Sequence, residues 1–465
     1  MKTLYVDCSF LAQAPHLNTG IQRVVRRVLE NLQALTAHDP ALRIQPVQMA
    51  HGRFEPVQLA QLYPSAAAAP SPAQRRLQRY LRRVFDAGRD LLSALAADQP
   101  AVRRFLYAPR TQFGLAWLIE RSVLRPLRAL RQWRTRAVPA TQGRSQALPV
   151  TPGDLLLLID STWNCDIWRS VSAFRQQGGK AVAVVYDLIP LTHPQFCDAG
   201  HIANFSRWLR DSVQQVDGYI GISRTVQQSL EDFLQREYPQ QAARLPLDHF
   251  LLGGDFAYHA GETDSVRDAL RSALSARPAY LMVSTVEPRK NHAYLLDAFE
   301  QLWARGVDVS LVIVGRTGWK VEALMRRIRN HPEYGRRLQH WSDLNDAELA
   351  CCYQQARCLV FPSIVEGFGL PIVESLAQGL PVLASDTPIH REIGAQQIGY
   401  FDLARPADLA ERIEAIEREG LPDALKVAEG YRWLSWRDSS RQLLERVLAM
   451  GEGAGAGLES AGVSS

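Results

Sequence analysis

Short apolar runs, separated by longer stretches of helical character, recur along most of this chain. Strands that are apolar almost throughout are typical of parallel sheets whose two faces are both covered by helices. The runs form two series, one within residues 1–250 and one within 278–425. We therefore predict an α/β fold with two doubly wound domains. The runs are Leu4–Val6, Leu155–Ile159, Ala181–Ile189, Tyr219–Ile222, Tyr280–Val283, Val309–Val314, Cys358–Phe361 and Val382–Ala384.

Length and composition agree with a two-domain globular protein. The chain has 465 residues, more than one hydrophobic core usually organises. Its 46% hydrophobic and 22% charged residues exclude a mainly disordered or fibrous protein. We expect no membrane span, because no apolar run reaches 18 residues, and no signal peptide, because Asp7 interrupts the first run. The six cysteines lack C-x-x-C spacing, so we predict neither disulfides nor zinc, and a cytoplasmic location.

The predicted domains are residues 1–255 and 275–428, joined by the polar stretch around 256–277. A low-complexity segment and a loop rich in Pro and Gly flank an arginine-rich block, so residues 65–150 are predicted to be a helical insertion in the first domain. The glycine-rich tail at 451–465 has little to bury, and we expect it to be disordered.

The net charge of +5 hides an uneven distribution. Residues 75–136 contain fifteen arginines and four acidic residues, a local charge of +11 in a chain whose remainder is −6. Arginine recurs every three residues from Arg125 to Arg134 beside an apolar stripe, which predicts a basic amphipathic helix on an anionic membrane surface. The alternative is a solvated face of an accessory helical hairpin. Nucleic-acid binding is disfavoured because no motif for it accompanies the charge.

A glycine-rich motif runs from Glu366 to Glu374: it follows the apolar run Cys358–Phe361 and continues into a predicted helix around Pro371–Ala377, so that one glutamate precedes the loop and the other lies inside the helix. Such a strand-to-helix loop presents free backbone N–H groups and the positive end of the helix to an anionic ligand. Two carboxylates eight residues apart can each hold a pair of vicinal hydroxyls. The alternative is a tight turn beside a surface glutamate and a capping glutamate.

A second motif, Glu287-Pro-Arg289-Lys290-Asn, follows the first strand of the second domain. Ligands of doubly wound sheets bind at the carboxyl ends of the strands, so Arg289 and Lys290 are placed to offset the charge of a diphosphate. Adjacent cations at the start of a helix oppose its dipole unless an anion is present, which favours this function. Gly315, after the next strand, either lets the backbone approach a nucleotide or forms a simple turn.

Together these motifs resemble the retaining glycosyltransferases of family four, which have the GT-B fold of two Rossmann-like domains facing across a cleft. The similarity spans nearly everything except 65–150 and the tail, and it is stronger in the second half. Residues 430–450 resemble the terminal helix that crosses back to the first domain in this family. Further matching segments are Thr19-Gly-Ile-Gln-Arg23, Asp187-Leu-Ile-Pro190, Gly221-Ile-Ser223, Phe361-Pro-Ser363, Ala377-x-Gly-x-Pro-Val382, Ser385-Asp386 and Arg391-Glu392.

The resemblance implies that the second domain holds a nucleotide-sugar donor. Arg289 and Lys290 would contact its diphosphate, Glu374 the ribose hydroxyls, and Glu366 the transferred sugar. Gly20 would face the phosphates from the first domain. The loop residues of the predicted donor site are Gly315, Gly367, Phe368, Gly369 and Leu370.

Asp187 is a candidate on the acceptor side, although an aspartate that ends a buried strand is often only a turn former. Many members of the family have histidine immediately before it, where this chain has Tyr186, so the role of that histidine does not transfer.

The function implied is retaining transfer of a hexose, with mannose from GDP-mannose as first choice, to a lipid-linked or growing surface polysaccharide, at the inner face of the cytoplasmic membrane. We expect no cofactor beyond the nucleotide sugar and no metal, because no Asp-x-Asp pair stands at a strand end. The alternatives are a GT-B epimerase and a non-catalytic scaffold that binds sugar nucleotides in a polysaccharide assembly complex.

Overall fold

The computed structural model describes residues 1–15, 20–63, 148–255 and 266–452. The described residues form two β-sheets that belong to one compact unit of the chain. The first sheet has the order β3-β2-β1-β4-β5-β6-β7, and the second has the order β10-β9-β8-β11-β12-β13. Two covered parallel sheets confirm the predicted α/β fold class.

The first sheet is parallel apart from its edge pair β2–β3. The interior strand β1 pairs with β2 on one side and β4 on the other, which is the reversal of strand order expected of a doubly wound domain. The strands are β1 Lys2–Asp7, β2 Leu42–Ala50, β3 Arg53–Pro56, β4 Leu155–Leu158, β5 Lys180–Val185, β6 Gly218–Gly221 and β7 Leu247–His249.

The second sheet is parallel throughout, and its order reverses at β8, which pairs with β9 and β11. Every residue of β9 and β11 is buried, as the apolar runs predict for strands covered on both faces. The strands are β8 Ala279–Val283, β9 Ser310–Val314, β10 Leu338–Trp341, β11 Cys358–Phe361, β12 Val382–Ser385 and β13 Gly399–Phe401.

Helices cover both sheets, and their apolar faces build the two cores. In the second domain, Phe299 and Leu302 pack with Ile313, Leu409 and Ile413 in one buried cluster. The helices are α1 Ser9–Gln13, α2 Gly20–Leu35, α3 Trp168–Gln176, α4 Ile189–Thr192, α5 Ala199–Gln215, α6 Arg224–Glu237, α7 Pro239–Ala242, α8 Asp268–Ser275, α9 His292–Ala304, α10 Glu322–Arg329, α11 Asp346–Gln355, α12 Leu370–Ala377, α13 Pro388–Gly394, α14 Pro406–Glu419 and α15 Trp436–Glu452.

Two predicted elements have different bounds in the structure. The run Ala181–Ile189 is a strand only as far as Val185, because Pro190 stands in the first turn of the short helix α4. The stretch predicted to be a polar connection contains α8, whose Leu270 and Leu274 are buried in the second domain.

The last described helix, α15, follows the second domain in sequence but lies against the first. Ser439 donates to the carbonyl of Leu251 over 2.6 Å, and Gln442 accepts from the N–H of Leu251 over 2.8 Å. Near its end, Lys180 of β5 donates to the carbonyl of Gly451 over 2.7 Å. The helix α15, which follows the second domain in the chain, is therefore hydrogen-bonded to the first domain and connects the two.

The predicted arginine-rich insertion and glycine-rich tail lie almost entirely outside the described residues, which exclude 64–147 and 453–465. In the part of the chain that is described, no helix is both long and apolar enough to cross a bilayer.

Candidate functional site

A cleft of about 740 Å³ lies between the two domains, at the carboxyl ends of strands from both sheets. Its second-domain wall carries the loop that precedes α12 and the turn that precedes α9. Its first-domain wall carries the start of α2 and the segment that follows β5. The cleft brings together every residue that the sequence predicted for the site. They are Gly20, Asp187, Arg289, Lys290, Gly315, Glu366, Gly367, Phe368, Gly369, Leu370 and Glu374.

The glycine-rich loop connects β11 to α12 as predicted. Gly369 stands at the N-cap of α12 with φ of 116°, a conformation that L side chains rarely adopt. Pro371 occupies the first turn of the helix, where its missing N–H costs no hydrogen bond. This backbone path directs the start of α12 into the cleft, between Glu366 before the loop and Glu374 within the helix.

The basic pair lies in a single 3₁₀ turn, Pro288–Lys290, that precedes α9. Asn291 ends this turn in the left-handed conformation, with φ of 58°, and α9 begins at the next residue. The carbonyl of Arg289 accepts from the N–H of Ile364 over 2.8 Å, which fixes the turn to the loop after β11. Both cations are thereby held beside the glycine-rich loop.

Arg289 and Lys290 converge on the carboxylate of Glu366. Arg289 Nη1 lies 2.6 Å from Glu366 Oε2, and Lys290 Nζ is hydrogen-bonded to Oε1. Arg289 also pairs through Nη2 with Glu287, over 2.7 Å. Lys290 Nζ lies 5.1 Å from the centre of the Phe361 ring, a further contact that favours its charged form. The carboxylates of Glu366 and Glu287 thus supply the negative charge that adjacent cations before a helix require.

Burial and the charges of neighbouring groups both shift the pKa values of the residues in this cluster. Burial alone raises the pKa of Glu366, but the charges of Arg289 and Lys290 outweigh it and lower that pKa to about 2. Burial and the neighbouring charge of Arg289 lower the pKa of Lys290. Burial raises the pKa of Glu287 in spite of Arg289. Glu366 is thus an anion at neutral pH, held by two cations that an incoming diphosphate can also contact.

Glu374 is buried on α12, with 7% of its side chain exposed, and both of its oxygens have partners. Oε1 lies 2.7 Å from Arg23 Nη2, which comes from α2 of the first domain. Oε2 accepts from the hydroxyl of Tyr353 over 2.9 Å. The predicted ribose ligand is therefore a carboxylate held from two sides, one of which belongs to the opposite domain.

Gly315 follows β9 at a point of close backbone approach. It has φ of 152°, and a Cβ there would lie 1.8 Å from the carbonyl oxygen of Ser284. No larger residue fits between the ends of β8 and β9 in this conformation, so the floor of the cleft consists of backbone at this point.

Gly367 is packed closely against the first domain. A Cβ at this position would lie 1.9 Å from the carbonyl oxygen of Tyr186, in the first domain. The carbonyl of Gly367 also accepts from the hydroxyl of Ser223 over 2.9 Å. The loop that carries Glu366 is therefore packed directly against the end of β5.

The first-domain candidates have more limited contacts. Gly20 begins α2, is exposed, and has open space where a side chain would stand. Asp187 is half-buried, accepts from the N–H of Ile189 over 3.0 Å, and has a pKa raised by desolvation although the charge of Arg289 opposes this. Tyr186, which replaces the family's histidine, donates its hydroxyl to the carbonyl of Ile159 over 2.7 Å, so it buttresses the sheet.

Several residues that complete the site were not among those predicted from the sequence. Arg23 belongs to the segment Thr19-Gly-Ile-Gln-Arg23, which matches the family. Because Arg23 follows Gly20 by three residues on α2, the two residues lie on the same face of the helix, and this spacing could have predicted Arg23 as a cleft residue. Glu287 belongs to the second motif and holds Arg289. The sequence around Tyr353 contains no motif from which its hydrogen bond to Glu374 could have been predicted.

The arrangement is suited to an elongated ligand with a charged centre and hydroxyl groups at both ends. Cations, free loop amides and a helix start surround the middle of the cleft, and carboxylates stand on either side. Among the described residues, no group of three or more His, Cys, Asp and Glu side chains is placed to hold a metal ion.

Comparisons with known proteins agree with this geometry. Residues 270–429, which contain the whole second sheet, match the model of the family described as Glycosyl transferases group 1. The chain is 31% identical over 323 residues to the serotype-specific mannosyltransferase WbdA of Escherichia coli, an alignment that covers 68% of this chain and 40% of that protein. It is 28% identical over 172 residues to an O-antigen chain mannosyltransferase B of Escherichia coli, covering 35% and 44% of the two chains.

The chain thus spans about two fifths of the length of the WbdA proteins that it matches. Among solved structures, sucrose-phosphate synthase from Thermosynechococcus elongatus superposes with a TM-score of 0.50 at 15% identity, covering 98% of both chains. This likeness bears on the fold alone, and it confirms that the two domains have the GT-B arrangement.

Proposed function

We propose that this chain, whose residues 270–429 belong to the glycosyl transferases of group 1, is a retaining hexosyltransferase that uses a nucleotide sugar. One observation supports the proposal: Arg289 and Lys290 converge on Glu366, which precedes the glycine-rich loop. Glu374 lies in the helix that follows this loop. This set contains a cationic site for a diphosphate, a carboxylate for the sugar and a carboxylate for the ribose.

The charges support a role in bond breaking as well as in binding. Cleavage of the bond to the anomeric carbon leaves positive charge on the sugar and negative charge on the departing diphosphate. Arg289 and Lys290 are held by Glu366 and Glu287 before the donor enters, so they need little reorganisation. On the scale of a single lost oxyanion donor, each preorganised cation is worth about 3 kcal/mol of barrier. This supply of charge is also why we propose that the reaction needs no divalent metal.

Mannose from GDP-mannose is the proposed donor, because both of the relatives described above are named mannosyltransferases. Those names also support a polysaccharide of the O-antigen kind as the acceptor. A lipid-linked acceptor would place the enzyme at the inner face of the cytoplasmic membrane, with the +11 charge of residues 75–136 directed to anionic lipid.

The direct test is a thermal-shift panel of GDP- and UDP-sugars followed by a transfer assay. A donor at 100 times its dissociation constant should add about 2.7 kcal/mol to the free energy of unfolding. Glu366→Gln should bind the nucleoside diphosphate and lose transfer by about 100-fold or more, on the scale of a lost transition-state partner.

Glu348→Gln is the matched control. Glu348 is another buried glutamate of the second domain, and it is paired with Arg267 outside the cleft. This variant should transfer at the wild-type rate. Failure of every nucleotide sugar to shift the transition, or equal loss of transfer in both variants, would overturn the proposed function.

A further inference from the structure

The first-domain wall of the cleft carries a group of aromatic side chains that the donor site does not use. Trp163 lies in a 3₁₀ turn, Thr162–Asn164, that follows β4. His201 and Phe205 lie one turn apart on α5. All three line the cleft, on the side opposite to Arg289 and Lys290.

Three neighbouring rings contact the Trp163 ring. Its centre lies 5.7 Å from the centre of Phe205 and 6.0 Å from that of Trp208, both in edge-to-face geometry. The His201 ring stands perpendicular to it at 6.3 Å. Phe205 and Trp208 are buried, whereas Trp163 is only half-buried. Two buried rings thus support a third whose remaining surface borders the cleft.

Polar groups lie on the same wall of the cleft as this ring. Asp198, which lines the cleft, caps α5 by accepting from the N–H of His201 over 2.9 Å. The imidazole of His201 and the carboxylate of Asp187 line the same wall. A half-buried aromatic ring that borders a cleft on the same wall as a carboxylate and an imidazole is the combination that matches a pyranose, which has an apolar face of C–H groups and a rim of hydroxyls.

The second domain fixes the segment that leads into α5. Trp319 Nε1 donates to the carbonyl of Phe196 over 2.7 Å, and Lys320 Nζ donates to that of Cys197 over 2.6 Å. Trp319 itself lines the cleft and has 43% of its surface exposed. Contacts from both domains therefore set the position of His201 and Asp198 relative to the donor side.

We propose that Trp163, His201 and Asp198 form the acceptor subsite, in which one pyranose unit of a glycan stacks on the indole of Trp163 while the imidazole and the carboxylate bind its hydroxyls. This inference rests on the proposed function, because it takes the opposite wall to be the donor site. The part of the acceptor that receives the sugar is then itself a carbohydrate, whatever group is attached to its other end.

The test compares Trp163→Ala and Trp163→Phe with Trp168→Ala. Trp168 belongs to the same aromatic cluster, 6.1 Å from Trp208, but it does not line the cleft. With a soluble mannose oligosaccharide as acceptor, Trp163→Ala should raise the acceptor KM at least about tenfold, the Phe variant should raise it less, and the Trp168 variant should leave it unchanged. The thermal shift given by GDP-mannose should be equal in all four proteins.

Saturation-transfer NMR with an α-linked mannobiose and no donor separates this inference from the proposed function. Binding by the wild type that is lost in Trp163→Ala supports the subsite even if no nucleotide sugar is found. An acceptor KM in Trp163→Ala equal to that of the wild type, in an enzyme that binds donor, would overturn the subsite alone. If Trp163→Ala does not fold, the same comparison is made with Trp163→Phe and His201→Ala, and wild-type acceptor affinity in both contradicts the inference.

Discussion

Arg23 Nη2 of α2 and Glu374 Oε1 of α12 lie 2.7 Å apart and join the two domains across the cleft. Glu374 is the carboxylate proposed to hold the ribose of the donor, and its second oxygen is bonded to Tyr353. A donor that enters the cleft must therefore share this carboxylate with Arg23 or displace the arginine. The ion pair links the occupancy of the donor site to the contact between the domains.

This pair should contribute to stability as a coupled unit. Because the carboxylate of Glu374 is buried, we expect Arg23→Met and Glu374→Gln each to lower the free energy of unfolding by about 1–3 kcal/mol, and the double variant to cost less than the sum. Urea denaturation measures all three.

Arg27→Met is the control for this cycle, because Arg27 lies one turn along the same helix in a half-buried pair with Glu30, at 3.5 Å, that does not cross the cleft. It should cost less than about 0.5 kcal/mol. Strictly additive losses for Arg23 and Glu374 would show that the two residues are not coupled.

Gly367 should tolerate no side chain, because its Cβ would stand 1.9 Å from the carbonyl oxygen of Tyr186. Gly367→Ala should separate the glycine-rich loop from the first domain and lower the rate of sugar transfer by about 100-fold, the scale of an ångström-sized displacement. Gly20→Ala, where the corresponding space is open, should leave the melting temperature unchanged. Equal melting temperatures and equal rates for Gly367→Ala and the wild type would contradict the close contact.

Asp7 should make stability depend on pH. It ends β1, is fully buried, and accepts from Ser9, while among the described residues nothing is bonded to its Oδ2. Burial, with the charge of Asp160, raises its pKa to about 7 from an ordinary 3.8.

Between these two values the unfolded chain is ionised at Asp7 while the folded chain is protonated, so stability falls as pH rises. Asp7→Asn should therefore gain stability over the wild type by up to about 1.4 kcal/mol for each pH unit from roughly pH 4 to 7, and the gain should level off above pH 7. Thermal unfolding from pH 4 to 9 checks this. A difference that does not change with pH would show that Asp7 is ionised in the folded protein.

Removal of divalent metal should leave the reaction unaffected. Arg289 and Lys290 are positioned to meet the charge of the diphosphate, so the transfer rate should be the same before and after dialysis against EDTA. Loss of activity that Mg²⁺ or Mn²⁺ restores would contradict this assignment of charge.

The sequence predicted those parts of the fold that are buried on both faces. The interior strands β8, β9 and β11 are apolar apart from Ser310 at the start of β9, so their positions were evident. The strands that were missed lie toward the edges of the sheets, and each is either very short or interrupted by polar residues. They are β2, β3, β7, β10 and β13.

The residues of the site also differ in how far the sequence could predict them. Residues close together in sequence, such as Glu366 to Glu374, have a loop chemistry that can be read without coordinates. Contacts between distant segments cannot be read in this way, since nothing in the sequence near Tyr353 or Trp163 indicates that each lies beside the cleft. The pairing of Arg23 with Glu374 depends on how the two domains are docked, which spacing does not determine.

The central claim, retaining transfer of a sugar from a nucleotide donor, is tested most directly by following the anomeric proton signals of the product by NMR from the first minutes of the reaction. With GDP-mannose and a mannose oligosaccharide, we predict that the first product has the same anomeric configuration as the donor. A first product of inverted configuration, or no transfer from any nucleotide sugar to any glycan by the intact chain, would contradict the account.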